Sequence, residues 1–128
     1  MKSIFSKIID NEIPCHLIAQ DKHVISFMDI NPIQRGHVLV VPKQEIDYLF
    51  DLDSDTYNHL WMFTKKVASA LKKTIDCERI GVSVIGLEVP HAHIHLIPMN
   101  TVSDMNFSKE KLKLSNEEFA RIAKLINS

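Results

Sequence analysis

Three histidines, His91, His93 and His95, alternate with apolar residues in the run Pro90-His91-Ala92-His93-Ile94-His95-Leu96-Ile97-Pro98. An extended chain sends successive side chains to opposite faces. The spacing therefore sets three imidazoles in one row, neighbours roughly 6 to 7 Å apart, and turns Ala92, Ile94, Leu96 and Ile97 toward a core. An imidazole titrates near neutral pH and can act as nucleophile, acid, base, phosphate carrier or metal ligand. Three of the seven histidines fall within these five residues, a concentration of chemistry rather than a scatter of surface side chains. A metal site is the competing reading. Histidines at i and i+2 can share an ion, and Glu88, Asp29 or Asp104 could complete its shell, although no second ligand cluster accompanies them. The intervening apolar residues also distinguish the run from an affinity tag.

The elements that must position this row can be read from hydrophobic period and turn signals. Ile4, Phe5, Ile8 and Ile9, behind Ser3 as N-cap, give a short amphipathic helix over residues 3–11. After Ile13-Pro14, His16 to Gln20 and Val24 to Met28 form a hairpin across Asp21-Lys22, with His16 and His23 as surface residues. Asp29 to Gly36 is a loop by its Asn-Pro and Gly signals. It leads into His37-Val38-Leu39-Val40-Val41-Pro42-Lys43, an apolar run suited to a strand covered on both faces, with His37 at its entrance. Lys43 to Asp53 reads as a turn.

From Ser54 the period changes to three and four residues, through Tyr57, Leu60, Trp61, Thr64, Val67, Ala68, Leu71 and Ile75. This is the long helix, capped by Asp53 or Ser54, with its lysines on a solvated face. Arg79 to Ile85 alternates as a strand, and Gly86-Leu87-Glu88-Val89-Pro90 turns it antiparallel into the histidine strand. Asn100 to Leu114 carries few structural signals and is expected to loop over the surface. Ser115 caps a last helix with Phe119, Ile122, Ala123 and Ile126 as its stripe.

Composition limits the partners. The 128 residues are 45% hydrophobic with a formal net charge of -1, enough for one domain over residues 1–128 and its core. Acidic and basic residues are interspersed, which argues against a nucleic-acid groove or a polybasic membrane patch. Cys15 and Cys77 make no C-x-x-C pair, and no signal-peptide or membrane-length apolar run occurs, so a cytoplasmic location is expected.

With these residues in place, the chain resembles the histidine-triad (HIT) superfamily of nucleotide hydrolases and transferases. The signature is His-φ-His-φ-His-φ-φ with φ apolar, matched throughout by residues 91–97. Further likeness runs through Phe5 to Pro14, Ser26-Phe27-Met28-Asp29-Ile30-Asn31-Pro32 and Gly36 to Lys43. The resemblance implies an α+β fold with a mostly antiparallel sheet of about five strands, one long helix and short terminal helices, paired into a homodimer. It implies a site for a purine nucleotide such as AMP or a derivative, without a cofactor. Phe27, Asp29 and Ile30 match residues that hold base and ribose, with the Asp29 carboxylate on the ribose hydroxyls. His37, His91 and His95 match the histidines around the phosphate, and His93 matches the nucleophile. An attacking His93 would need its second ring nitrogen to donate a hydrogen bond, commonly to a backbone carbonyl.

Two departures qualify the likeness. Where many members have Gly-Gln-Ser/Thr-Val before the triad, this chain has Gly86-Leu87-Glu88-Val89, without the phosphate-binding amide and the leaving-group hydroxyl. Glu88 would repel phosphate if ionised, could protonate the leaving group if its proton were retained, or simply faces solvent. Ser83 takes the place assigned to an asparagine that contacts phosphate and ribose. The structural zinc of some bacterial relatives uses two cysteines, and here those places read Ser3 and Ser6, with Glu45 for a histidine, so no zinc is expected. The leading expectation is a hydrolase of AMP-linked phosphoramidates or dinucleoside polyphosphates, working through a nucleotidyl-histidine. A poorly active nucleotide sensor and a histidine-rich metal binder are the alternatives.

Overall fold

The computed structural model describes residues 2–127. Helix α1 (Ile4–Ile9) precedes a hairpin of β1 (Leu17–Gln20) and β2 (Val24–Met28), then β3 (Val38–Pro42). Helix α2 (Ser54–Thr74), β4 (Arg79–Ser83), β5 (Ile94–Met99) and α3 (Asn116–Asn127) follow. Short 3₁₀ turns at Leu49–Asp51 and Val102–Met105 sit in the two longest connections. The sheet order is β1-β2-β3-β5-β4, with every neighbouring pair antiparallel. Because β5 lies between β3 and β4, the chain leaves β3, crosses through α2 and returns one place further out.

Register separates the two faces of the sheet. Phe27, Leu39, His95 and Ser83 are successive cross-strand partners, as are Met28, Val38, Leu96 and Val82. Paired residues project to the same side. The Val38 side joins Leu60, Val67 and Leu71 of α2 and Phe119, Ile122 and Ile126 of α3 in the main core. Each of these buried side chains contributes about 1.5–3 kcal/mol of hydrophobic stabilisation. The Leu39 side carries a smaller cluster of Phe5, Ile25, Phe27, Leu39 and Val41 under α1. Since α1 has only 6 residues, it leaves part of that face uncovered.

Local signals behave as the sequence indicates at the start of the long helix and at the first helix. Asp53, rather than Ser54, is the N-cap of α2, its carboxylate accepting the Thr56 N–H at 3.1 Å. Ser3 caps α1 by accepting the Ser6 N–H at 3.0 Å. Gly36 enters β3 at φ +88°, and a Cβ there would lie 3.0 Å from Ile75 and 3.1 Å from Pro98, so both conformation and space call for glycine.

Four expectations need correction. The histidine strand begins at Ile94, not at His91, because the backbone N–H groups of His91 and Ala92 go to Val89 and Ile46 carbonyls outside the ladder. Strand β4 stops at Ser83, and Val84 and Ile85 run out exposed toward Gly86. His16 is not a free surface residue: it is half-buried and stacks on Phe119 of α3, centroids 5.2 Å apart. The stretch after β5 contains a capped turn, with Thr101 and Asp104 forming a reciprocal capping box, and it then folds back over the sheet face carrying His95.

Candidate active site

A cavity of about 370 Å³ occupies the part of the Leu39 face that α1 leaves open. Ile4, Phe5 and Ile8 of α1 wall one side, and Phe27, Asp29 and Ile30 come from the end of β2 and the loop after it. His37, His93 and His95 form the floor with Leu39, and the turn Gly86-Leu87-Glu88 forms the rim. Phe107 and Lys111 complete it from the segment after β5.

The rings of His93 and His95 lie 4.9 Å apart, closer than the roughly 6 to 7 Å of alternate positions on a regular strand, because His93 precedes the first residue of β5. Hydrogen bonds then fix each tautomer. His93 Nδ1 is 2.7 Å from the carbonyl oxygen of His91. A carbonyl only accepts, so Nδ1 carries the proton and Nε2 keeps its lone pair. The Phe5 ring sits edge-on against His93 at 4.9 Å and holds its plane.

A second chain of bonds fixes the other pair. The Ile33 N–H donates to His37 Nδ1 at 3.1 Å, which puts the His37 proton on Nε2. That Nε2–H donates to His95 Nδ1 at 2.9 Å, which leaves His95 with its own proton on Nε2. Burial is the main cause that pushes His37 down to about 3, helped by the Lys111 ammonium and by His93. His95 is also pushed down to about 3, by burial first and then by His37 and His93, with Asp29 opposing. Both rings are therefore neutral at physiological pH. The 3.4 Å approach of Asp29 Oδ2 to the neutral His37 Nε2 is a close polar contact and not an ion pair.

His91 belongs to a different group. It is fully buried behind the cavity wall, donating from Nε2 to the Pro42 carbonyl at 2.8 Å and accepting at Nδ1 from the Ser3 hydroxyl at 2.7 Å. The Glu45 carboxylate accepts the Ser3 N–H at 2.7 Å and the Ser6 hydroxyl at 2.6 Å. These bonds hold the Glu45 carboxyl well below the usual carboxylate range. Ser3, Ser6 and Glu45, the positions named for a structural zinc, do converge, and they do so around His91. Their donors are two neutral hydroxyls, an already bonded carboxylate and one imidazole, a set that does not fit zinc.

The metal shell weighed from the sequence is also rearranged. Asp104 uses its carboxylate on the N–H groups of Asn100 and Thr101, away from the histidines. Among the described residues, the group able to hold an ion is Asp29, His37 and His95, whose ligand atoms lie within 4.8 Å of one another. An ion there would have to displace the proton shared by the two imidazoles.

Of the sequence-derived site residues, Phe27, Asp29, Ile30, His37, Glu88, His93 and His95 line the cavity. His91 stands behind it. Ser83 pairs with His95 across β4 and β5 but lies outside the lining, because β4 is the edge strand and the cavity sits over β2, β3 and β5. Phe107, Lys111 and the Ile33 N–H were missed. A lone aromatic and a lysine four residues on, inside a polar stretch, carry no local signal.

Residues 10–102 match the family model described as HIT domain. An uncharacterized HIT-like protein of Borreliella burgdorferi is 33% identical, covering 97% of this chain and 95% of its own. The adenosine 5'-monophosphoramidase of Saccharomyces cerevisiae is 34% identical, covering 74% of this chain and 61% of its own. Among solved structures, a Hit-like protein from Bartonella henselae superposes with a TM-score of 0.86 at 33% identity, covering 98% of this chain and 94% of that one.

Proposed function

Because the chain belongs to the HIT domain family, we propose that it is a hydrolase of AMP-linked phosphoramidates or dinucleoside polyphosphates, acting through a nucleotidyl-histidine on His93. The observation that carries this reading is the bond from His93 Nδ1 to the His91 carbonyl, which leaves a neutral Nε2 lone pair on a ring facing the cavity. Such a nitrogen lone pair is a nucleophile that needs no base to activate it.

Phe27 and the exposed Ile30 supply apolar surface for a base, and Asp29 supplies acceptors for ribose hydroxyls. His93 Nε2 attacks phosphorus, an N–P bond forms, and the bond from phosphorus to the leaving group breaks, an amine departing with a proton taken from solvent water and a phosphate chain departing as its anion. The His95 Nε2–H, fixed by the relay from Ile33 through His37, donates to a phosphate oxygen as charge builds. Water then cleaves the N–P bond and regenerates His93. The name of the yeast relative supports the phosphoramidate class.

A homodimer paired through the exposed edge strand β4 and the long helix accompanies this reading. No helix among the described residues is long and apolar enough to cross a membrane. One observation favours a weaker enzyme that chiefly binds nucleotide: the rim carries Leu87 and Glu88 where a leaving-group hydroxyl would be useful.

Rapid quenching into alkaline denaturant, which preserves an N–P bond, during turnover of an AMP-amidate tests the proposal. Label from the nucleotide is expected on wild-type protein and absent from His93→Ala. A wild type that binds AMP and turns over neither substrate class would support the sensor.

A further inference from the structure

The family match ends at residue 102, and the chain returns to the cavity beyond it. Three contacts seat this return. The Leu112 N–H donates to the Pro32 carbonyl at 2.8 Å, Lys109 Nζ donates to Gln34 Oε1 at 2.6 Å, and the Phe107 ring stands edge-on to His95 with centroids 4.8 Å apart. Phe107 also faces His37 at 6.1 Å. Lys111 is thereby held over the histidine pair, its Nζ donating to the Phe107 carbonyl at 2.6 Å.

The charges facing the cavity are unevenly matched to an anionic substrate. Asp29 and Glu88 bring carboxylates, while His37 and His95 are neutral. Lys111 is the single lysine or arginine among the described residues that line the space. A phosphoryl group entering here would meet two like charges and, without Lys111, no fixed positive one. The turn before the triad offers Leu87 and Glu88 and no amide or hydroxyl side chain. The Lys111 side chain is exposed, and its ammonium keeps further N–H donors after bonding Phe107.

We propose that Lys111 is a substrate-binding residue whose ammonium supplies the counter-charge for the phosphate portion of the ligand. The assignment rests on the nucleotide reading given above. In this role the segment after β5 is part of the site and supplies a positive charge that the Gly86-Leu87-Glu88 turn does not.

Calorimetric titration of wild type, Lys111→Met and Lys111→Arg with AMP and with adenosine tests it, with thermal unfolding checked for each variant. Lys111→Met is expected to weaken AMP about tenfold, with a flatter salt dependence, and to leave adenosine within about twofold. Lys111→Arg should keep most of the AMP affinity. If AMP and adenosine weaken together, or if AMP is unchanged, the lysine merely braces the Phe107 carbonyl and the assignment is overturned. A wild type that binds neither ligand removes the nucleotide reading, and this assignment with it.

Discussion

The Nδ1 atom of His93 donates to the backbone carbonyl of His91 at 2.7 Å, so the residue two places before the attacking ring sets that ring's tautomer. Removing the ring removes the attacking atom while leaving the rest of the cavity standing. His93→Ala is expected to lower kcat for an AMP-amidate by more than about a thousandfold, with AMP affinity changed by less than about threefold. Loss of both together in a folded variant would contradict a nucleophile and point to binding.

His91 works from behind the wall. Ser3→Ala strips the N-cap of α1 and the donor to His91 Nδ1 in one step. It is expected to cost about 1–2 kcal/mol in denaturant unfolding. The His93 ring should then lose order, visible as a lower kcat at unchanged AMP affinity. Ser3→Thr should restore most of both.

Acid should destabilise the fold through His37 and His95. Their folded pKa values, about 3, lie below the ordinary histidine value of about 6.5 that holds in the unfolded chain. Between these two values the unfolded state binds more protons, so stability is complete above the unfolded value and falls as pH drops toward the folded one. The loss should reach a few kcal/mol by about pH 4. His37→Asn should flatten that dependence, and an unchanged slope would show that the pair is not the cause.

Phe107 keeps water from the same pair. Phe107→Ala should raise the pKa of His37 and His95 toward the ordinary histidine value, because the burial that holds them down is relieved. Histidine titration by NMR reads this directly. Values that stay depressed would assign the desolvation to the sheet alone.

Glu88 is exposed at the rim. A carboxylic acid that holds its proton at neutral pH relies on burial or on a like charge beside it. Glu88→Gln is therefore expected to leave the pH–rate profile in place and kcat within about threefold. A lost acidic or basic limb would restore it as a general acid.

Local sequence signals were enough to place the helices, most of each strand and the side of the sheet on which the histidines fall. Alternation at 91, 93 and 95 is a property of any extended backbone, and the cap at Asp53 and the period of α2 are satisfied within one or two turns. None of these depends on a distant partner. Tertiary structure decided which imidazole does what. Crossing through α2 places β3 beside β5, so His37 meets His95 and hands it a proton position, and α1 reaches His91 through Ser3. Only the return of the chain after β5 brings Phe107 and Lys111 to the same cavity. Hydrogen-bond partners and desolvation are fixed by contacts between residues far apart in the chain, and local spacing carries no record of them.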